Sequence, residues 1–229
     1  EEKYEWRNVL LVSHGWVFRP INKYINNLTH EEAFYGVSGA KNSRMYKLPN
    51  YERHNQLDKW IISELNKLTK EVKSGFNDYK LVDATRPIQA FMDNLTNWYI
   101  RRSRKRFWKS ENDNDKIEAY NTLHEVLVEV SKIIAPFMPF VSEHIYKSLT
   151  GNESVHLDNY PESIPGFIYD RLNFEMELTQ KIVNLGLAFR ANRKLRVRQP
   201  LSSITIWEKL DTYYLEIIKE ELNVKEVIV

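Results

Sequence analysis

Two stretches of this chain concentrate side chains that suit a polyanionic ligand. The first, NWYIRRSRKRFWK at residues 97–109, holds two tryptophans, a tyrosine and six basic residues without one carboxylate. The second, residues 190–198, holds five basic residues and again no acid. Planar guanidinium groups suit phosphate oxygens, and interleaved aromatic rings can stack on bases. These residue types therefore favour binding of RNA or DNA.

The charge of the remaining chain shows that this positive charge is local. The formal net charge is only +2, and without those eleven cations 22 basic residues stand against 31 acidic ones. The rest of the chain thus carries −9, and its field would repel a polyanion. We expect any polyanion to be bound at the two basic stretches.

The clustering identifies candidate binding residues in each stretch. The predicted phosphate contacts are Arg101, Arg102, Arg104, Lys105, Arg106, Arg193, Lys194, Arg196 and Arg198. Trp108 and Gln199 are predicted as lesser contacts to bases or backbone. The alternative for the first stretch is a solvated helix end, because Arg and Lys are good helix formers and favourable near a helix C-terminus. For the second it is a basic helix end leading to a loop that Pro200 closes.

No pattern of catalytic or metal-binding residues stands out. The six histidines show no i, i+4 pairing, and Ser142, Glu143 and His144 point about 100° apart on a helix, so they cannot form a relay. The segment GVSGAKNS lacks the spacing of a phosphate loop. The absence of cysteine excludes disulfides and thiolate metal sites and fits a reducing cytosol. We therefore expect a cytoplasmic binding module without catalytic residues, metal or cofactor.

Neither a signal peptide nor a membrane span is predicted. The N-terminus lacks basic and apolar regions, and the longest apolar stretch, residues 133–141, is short and interrupted by two prolines. A soluble protein with no membrane partner is expected. Because the chain begins without methionine and ends on the apolar run Val227 to Val229, we expect a segment of something longer.

The apolar period predicts a mainly α-helical fold, a helical bundle at residues 1–200 followed by a truncated α/β subdomain at 201–229. Helices are predicted at about 4–26, 55–75, 83–109, 117–134, 140–149 and 170–192, with loops at 27–55 and 150–166. Asp83 is the predicted N-cap of its helix, with Pro87 in the first turn. A short extended piece is expected at 155–157. In the subdomain we expect strands near 204–206 and 227–229 around a helix at 211–222.

The helix that carries the first basic stretch should change character along its length. Phe91, Leu95 and Trp98 form an apolar stripe, which Arg102, Lys105, Arg106 and Lys109 continue within about 60°. Unpaired cations are costly in a core. The helix is therefore predicted to leave the bundle interior near Arg101, with Trp98 and Tyr99 packed in the core.

Four segments, in this order and spacing, resemble the C-terminal part of isoleucyl-tRNA synthetases, a group of class I aminoacyl-tRNA synthetases. They are LDKWIISELNKL (57–68), NLTNWYIRRSRKRFW (94–108), TLHEVLVEVSKIIAPFMPFVSEHIY (122–146) and KLRVRQPLSSITI (194–206). The resemblance covers about residues 55 to 229. The combination of WYIRRSRKRFW with VRQPL looks isoleucine-like rather than valine- or leucine-like.

The resemblance implies an anticodon-binding bundle that holds the anticodon stem and loop of isoleucine tRNA. The family's HIGH and KMSKS signatures do not occur here, so ATP and Mg²⁺ are expected to bind the catalytic domain of a parent chain. That domain and the editing domain are the implied partners, the assembly is expected to be a monomer, and this segment alone should be inactive. Two alternatives stay open: a helical protein-interaction module for an acidic partner, and a self-contained enzyme that turns over ATP.

Overall fold

The computed structural model describes residues 53–108 and 113–229. The predicted helix at 4–26 and nearly all of the predicted loop at 27–55 lie outside the described residues. The chain divides into two compact units between Ile168 and Tyr169. The helix at 170–192, which the sequence analysis groups with the bundle, falls in the second unit. The domain boundary after residue 200 stays a prediction.

The described part of the first unit, residues 53–108 and 113–168, is helical. It contains α1 (Gln56–Asn77), α2 (Leu81–Asp93), a π-helical segment (Asn94–Ile100), α3 (Arg101–Trp108), α4 (Asp113–Ile134) and α5 (Pro139–Thr150), followed by 3-10 turns at Val155–Leu157 and Pro165–Phe167. The predicted bend between α4 and α5 is confirmed, and Pro139 occupies the first turn of α5. The extended piece at 155–157 was wrong, because the Ser154 side chain accepts a hydrogen bond from the His156 N–H and closes a turn.

Helix α1 forms the centre of this unit. Asn55 caps it, because its Oδ1 accepts a hydrogen bond from the Leu57 N–H at 2.9 Å. Its predicted apolar stripe is buried: Leu57, Trp60, Ile61, Leu65, Leu68 and Val72. Near its end α1 approaches α2 so closely that a Cβ on Gly75 would lie 2.8 Å from the Ala84 backbone. Only glycine fits there without a shift.

Helix α2 begins differently from the prediction. It starts at Leu81 with Lys80 at the N-cap, so Asp83 lies inside the first turn and does not cap the helix. A carboxylate is still favourable there, since it faces the positive end of the helix dipole. Pro87 is the seventh residue of the helix, beyond the first turn where it was predicted. Its missing N–H deprives the Asp83 carbonyl of its usual helical partner.

The π-helical segment keeps one face of the long helix in the core. Phe91, Leu95, Tyr99, Ser103 and Phe107 are all buried, at a strict spacing of four residues. In an α-helix this spacing drifts by about 40° at each step. The wider π turns take up that drift. The prediction that the helix leaves the bundle near Arg101 was therefore wrong, since α3 stays packed along this face.

The second unit holds α6 (Asp170–Asn192), β1 (Leu201–Thr205), α7 (Thr212–Leu222) and β2 (Val224–Ile228). The strands pair in parallel, with Leu201 opposite Val224 and Thr205 opposite Ile228. Helices α6 and α7 meet at Gly186, where a Cβ would lie 2.6 Å from a methyl carbon of Leu222. The buried side chains of this unit include Met176, Val183, Tyr214, Ile217, Ile218 and Leu222.

The predicted fold class, mainly α with a small α/β part, is confirmed. Among the helices of residues 53–108 and 113–229, none combines the length and apolar character that crossing a bilayer needs.

Candidate nucleic-acid interface

Helix α3 displays cations on its outer side, and we name Arg101, Arg104 and Lys105 the helix surface. All three are exposed, while Ser103 and Phe107 point into the core. The Arg101 Nε donates to the Asn97 carbonyl at 2.7 Å, and its Cζ lies 5.8 Å from the centroid of the Trp98 ring. Arg104 and Lys105 make no ion pair with the residues that the structure describes. Their charge is therefore directed to solvent.

The structure gives Arg106 a different role from the predicted phosphate contact. Its Nη1 and Nη2 each donate to one carboxylate oxygen of Asp58 at 2.8 Å, and its Nε donates to Asp115 at 2.9 Å. Asp58 is fully buried and also accepts a hydrogen bond from the Tyr99 hydroxyl at 2.7 Å. These contacts tie α3 to α1 and α4. Arg106 therefore positions the helix surface and does not belong to it.

The protonation of Arg106 fits this structural role. Burial by itself lowers the pKa of the guanidinium, but the hydrogen bonds to Asp58 and Asp115 outweigh it, and the net pKa is raised.

The other predicted residues of the first basic stretch differ in burial. Arg102 is partly buried, and Trp108 is 51% exposed. Trp98, predicted in the core, is only partly buried, whereas Tyr99 is confirmed as a core residue.

In the second unit, the basic stretch forms a loop that begins where α6 ends. The Lys194 N–H donates to the Ala191 carbonyl at 3.0 Å, and the Leu195 N–H donates to the Arg190 carbonyl at 2.9 Å. This pair of bonds is the Schellman arrangement, which needs a left-handed residue just after the helix. Lys194 occupies that position with φ 55°. We name residues 193–199 the basic loop.

The buried side chain of Arg190 is hydrogen-bonded to the backbone of the basic loop. It is 2% exposed and donates to the carbonyl oxygens of Arg196, Gln199, Leu222 and Asn223, at 3.0, 3.0, 2.6 and 3.2 Å. The Asn223 Nδ2 also donates to the Val197 carbonyl at 2.9 Å. Among residues 53–108 and 113–229, only carbonyl oxygens accept hydrogen bonds from this guanidinium, and no carboxylate pairs with it. The loop backbone is thereby fixed to the α7–β2 junction.

The side chains of the basic loop face solvent. Its exposed polar residues are Arg193, Lys194, Arg196, Arg198 and Gln199. None of the four cations is paired with a carboxylate within the described part of the chain. Arg193 instead lies over the Phe189 ring, with its Cζ 5.6 Å from the centroid. A rigid loop with four unneutralised cations is suited to phosphate groups, which release counterions as they bind.

Sequence reasoning missed the residues that hold these surfaces in place. Asp58 interrupts the apolar face of α1 beside Leu57, and an acid on a core-facing stripe signals a buried partner. Arg190 belongs to the basic stretch, but nothing in its spacing separates an inward arginine from an outward one. Across residues 53–108 and 113–229, no group of three or more histidine or acidic side chains could hold a metal ion.

The part of this chain that resembles known proteins includes both the helix surface and the basic loop. A family model described as the anticodon-binding domain of tRNA ligase matches residues 58–206. The isoleucine–tRNA ligase of Clostridium novyi (strain NT) is 41% identical over 215 residues, which cover 90% of this chain and 20% of that protein. The isoleucine–tRNA ligase of Bacillus thuringiensis (strain Al Hakam) is 39% identical over 224 residues, covering 95% of this chain and 22% of that protein. This chain thus spans about a fifth of the length of these curated relatives.

Proposed function

Because this chain belongs to the family of anticodon-binding domains of tRNA ligases, we propose that it is the tRNA-binding part of an isoleucine–tRNA ligase. Its ligand is the anticodon stem and loop of isoleucine tRNA. The observation that carries the proposal is the clustering of exposed cations on two surfaces within the matched region. The relatives at about 40% identity support isoleucine as the cognate amino acid.

The two surfaces divide the phosphate contacts between them. Arg101, Arg104 and Lys105 contact phosphates from the helix surface, and Arg193, Lys194, Arg196 and Arg198 do so from the basic loop. Arg102, Trp108 and Gln199 make lesser contacts at the edges of these surfaces. Such contacts fix the position of an RNA without reading its sequence.

The catalytic and editing steps belong to other parts of the parent ligase. We propose that ATP and Mg²⁺ bind there, that this chain holds no cofactor of its own, and that the ligase acts as a cytoplasmic monomer. The isolated chain should bind tRNA without turning over ATP. Release of pyrophosphate from ATP by the isolated chain with isoleucine would contradict this part of the proposal.

A filter-binding titration tests the main proposal. Isoleucine tRNA, an unrelated tRNA and a DNA duplex are compared between about 50 and 200 mM salt, where phosphate contacts dominate the salt dependence. We expect the tightest binding with isoleucine tRNA. Equal affinity for all three ligands, or no binding, would instead favour a protein-interaction module with an acidic partner.

A triple variant tests the helix surface. Changing Arg101, Arg104 and Lys105 to alanine should lower the slope of log affinity against log salt by about 0.7 to 0.9 for each lost contact. The matched control changes Lys67, Lys70 and Arg86 to alanine, which removes the same charge from exposed positions on α1 and α2 outside the basic stretches. The same slope change in both variants would mean that only net charge matters.

A further inference from the structure

The last turn of α6 carries an aromatic ring in contact with a guanidinium. The Arg193 N–H donates to the Phe189 carbonyl at 3.1 Å, so the two side chains lie one helical turn apart on the same side. The Arg193 Cζ lies 5.6 Å from the ring centroid, which is a cation–π distance. Both side chains are exposed, Phe189 by 55%.

The fold does not use this ring for its own core. The buried face of α6 consists of Met176, Thr179, Val183 and Arg190. Phe189 precedes Arg190 by one residue and therefore points about 100° away from that face. An exposed phenylalanine on a helix that already buries another face is available to a ligand.

We propose that Phe189 and Arg193 form a stacking platform for one unstacked base of the bound RNA loop. Proteins stack extruded bases on aromatic rings and on guanidinium planes, and this pair exposes one of each at the edge of the basic loop. The inference rests on the proposed function and adds to it: the basic loop binds single-stranded nucleotides of the anticodon loop and not the stem.

The surroundings of the pair suit a single strand. In an A-form stem every base is stacked on its neighbours, so no base face is accessible to Arg193. In a loop, a base on Arg193 would have phosphates on both sides, and Lys194, Arg196 and Arg198 extend from the same platform along the basic loop. Arg190 fixes the backbone of that loop at Arg196 and Gln199, so little ordering is left for binding.

Two variants of the full 229-residue chain remove the platform without changing the charge. Phe189→Leu keeps an apolar side chain but loses the ring, and Arg193→Lys keeps the cation but loses the plane. The control is Phe174→Leu, the same change at an exposed phenylalanine near the start of α6, outside the basic loop. The probe is the anticodon stem-loop of isoleucine tRNA, intact and as a series in which each loop nucleotide in turn is abasic.

Each platform variant should weaken binding of the intact stem-loop by about five- to 150-fold, the range for loss of one base stack, with an unchanged salt slope. Phe174→Leu should change affinity little. The stem-loop that lacks the stacked base should bind the wild type less tightly than the intact stem-loop does, by a similar factor. Its affinity should not fall further when Phe189→Leu replaces the wild type, which is the coupling expected for a direct contact. Thermal unfolding checks that the variants are folded. We expect them to be, because both side chains are exposed.

The outcomes separate this inference from the proposed function. If the wild type prefers the isoleucine stem-loop but neither platform variant weakens it more than the control, the platform is wrong and the function stands. Losses that are equal for every abasic stem-loop also overturn the platform. If the wild type binds no stem-loop, or binds an unrelated one equally well, the proposed function fails and the platform fails with it.

Discussion

At the residue scale, Lys194 occupies a backbone position that usually favours glycine. Its φ of 55° lies in the left-handed region, where a side chain with a Cβ is strained. The Schellman bonds that end α6 require this conformation. A lysine at this position lowers the stability of the fold relative to glycine, and its exposed ammonium group gives the basic loop one more cation.

We therefore expect Lys194→Gly to raise the free energy of unfolding by about 1 kcal/mol, because glycine removes the strain. The same change should weaken tRNA binding and lower its salt slope by about 0.7 to 0.9. Urea unfolding and filter binding measure the two effects. The control, Lys194→Ala, should lose the same binding without the gain in stability, and a less stable glycine variant would argue against the left-handed conformation.

A second residue-scale prediction concerns the buried carboxylate under α3. Asp58→Ala should lower the free energy of unfolding by about 3 to 5 kcal/mol, because it leaves the partly buried Arg106 without its two-pronged partner. Urea unfolding checks this value. The matched pair is Asp58→Leu with Arg106→Met, which removes both charges and should recover part of the loss. An equal or larger loss in the double variant would show that packing, and not charge pairing, is the main effect.

At the element scale, Glu143 joins α5 to the turn that follows it. Its Oε2 accepts hydrogen bonds from the Val155 N–H at 2.8 Å and the Ser154 hydroxyl at 2.9 Å, and its Oε1 lies 2.8 Å from the Lys147 Nζ. The hydrogen bond with Lys147, then those from Val155 and Ser154, outweigh desolvation and hold the pKa of Glu143 at about 2. The contacts between α5 and the turn are thus made by the ionised carboxylate of Glu143.

The sign of the pH effect follows from this lowered pKa. Stability from Glu143 is fully present above its unfolded pKa of about 4.3 and is lost as pH falls towards 2. We expect Glu143→Gln to be less stable than wild type at pH 6, with the difference shrinking as pH falls from 5 to 2. Urea titrations at pH 6, 4 and 3 test this. A difference that stays constant over that range would mean that Glu143 acts only through its shape.

At the scale of the whole molecule, the two basic surfaces lie in separate compact units. If one tRNA contacts both, their contributions to the salt slope should add, because each lost contact releases its own counterions. We expect the helix-surface triple variant and a basic-loop triple variant, Lys194, Arg196 and Arg198 to alanine, to lower the slope separately and to sum when combined. A combined slope no lower than that of either triple variant would contradict a shared ligand.

The sequence predicted well the features that depend on local periodicity. Helix α1 and helix α6 follow from apolar spacing, and the two strands of the second unit occur in the predicted order but each begins three residues earlier than predicted, at Leu201 and Val224. It failed where a contact between distant segments decides the outcome. Lys105 and Arg106 both continue the apolar stripe, and Asp58, 48 residues earlier, selects Arg106 for the buried ion pair. Arg190 likewise points inward because carbonyl groups more than 30 residues later accept its hydrogen bonds.

The π-helical segment between α2 and α3 makes the direction of the cations depend on a residue count. If all seven residues of Asn94–Ile100 wound as a regular α-helix, everything after the segment would be rotated by about 100°. Arg106 would then turn away from Asp58, and the outward face of α3 would carry a different set of side chains. Losing one residue from the segment would offset that rotation, because six residues of α-helix turn nearly as far as seven residues in the wider π winding.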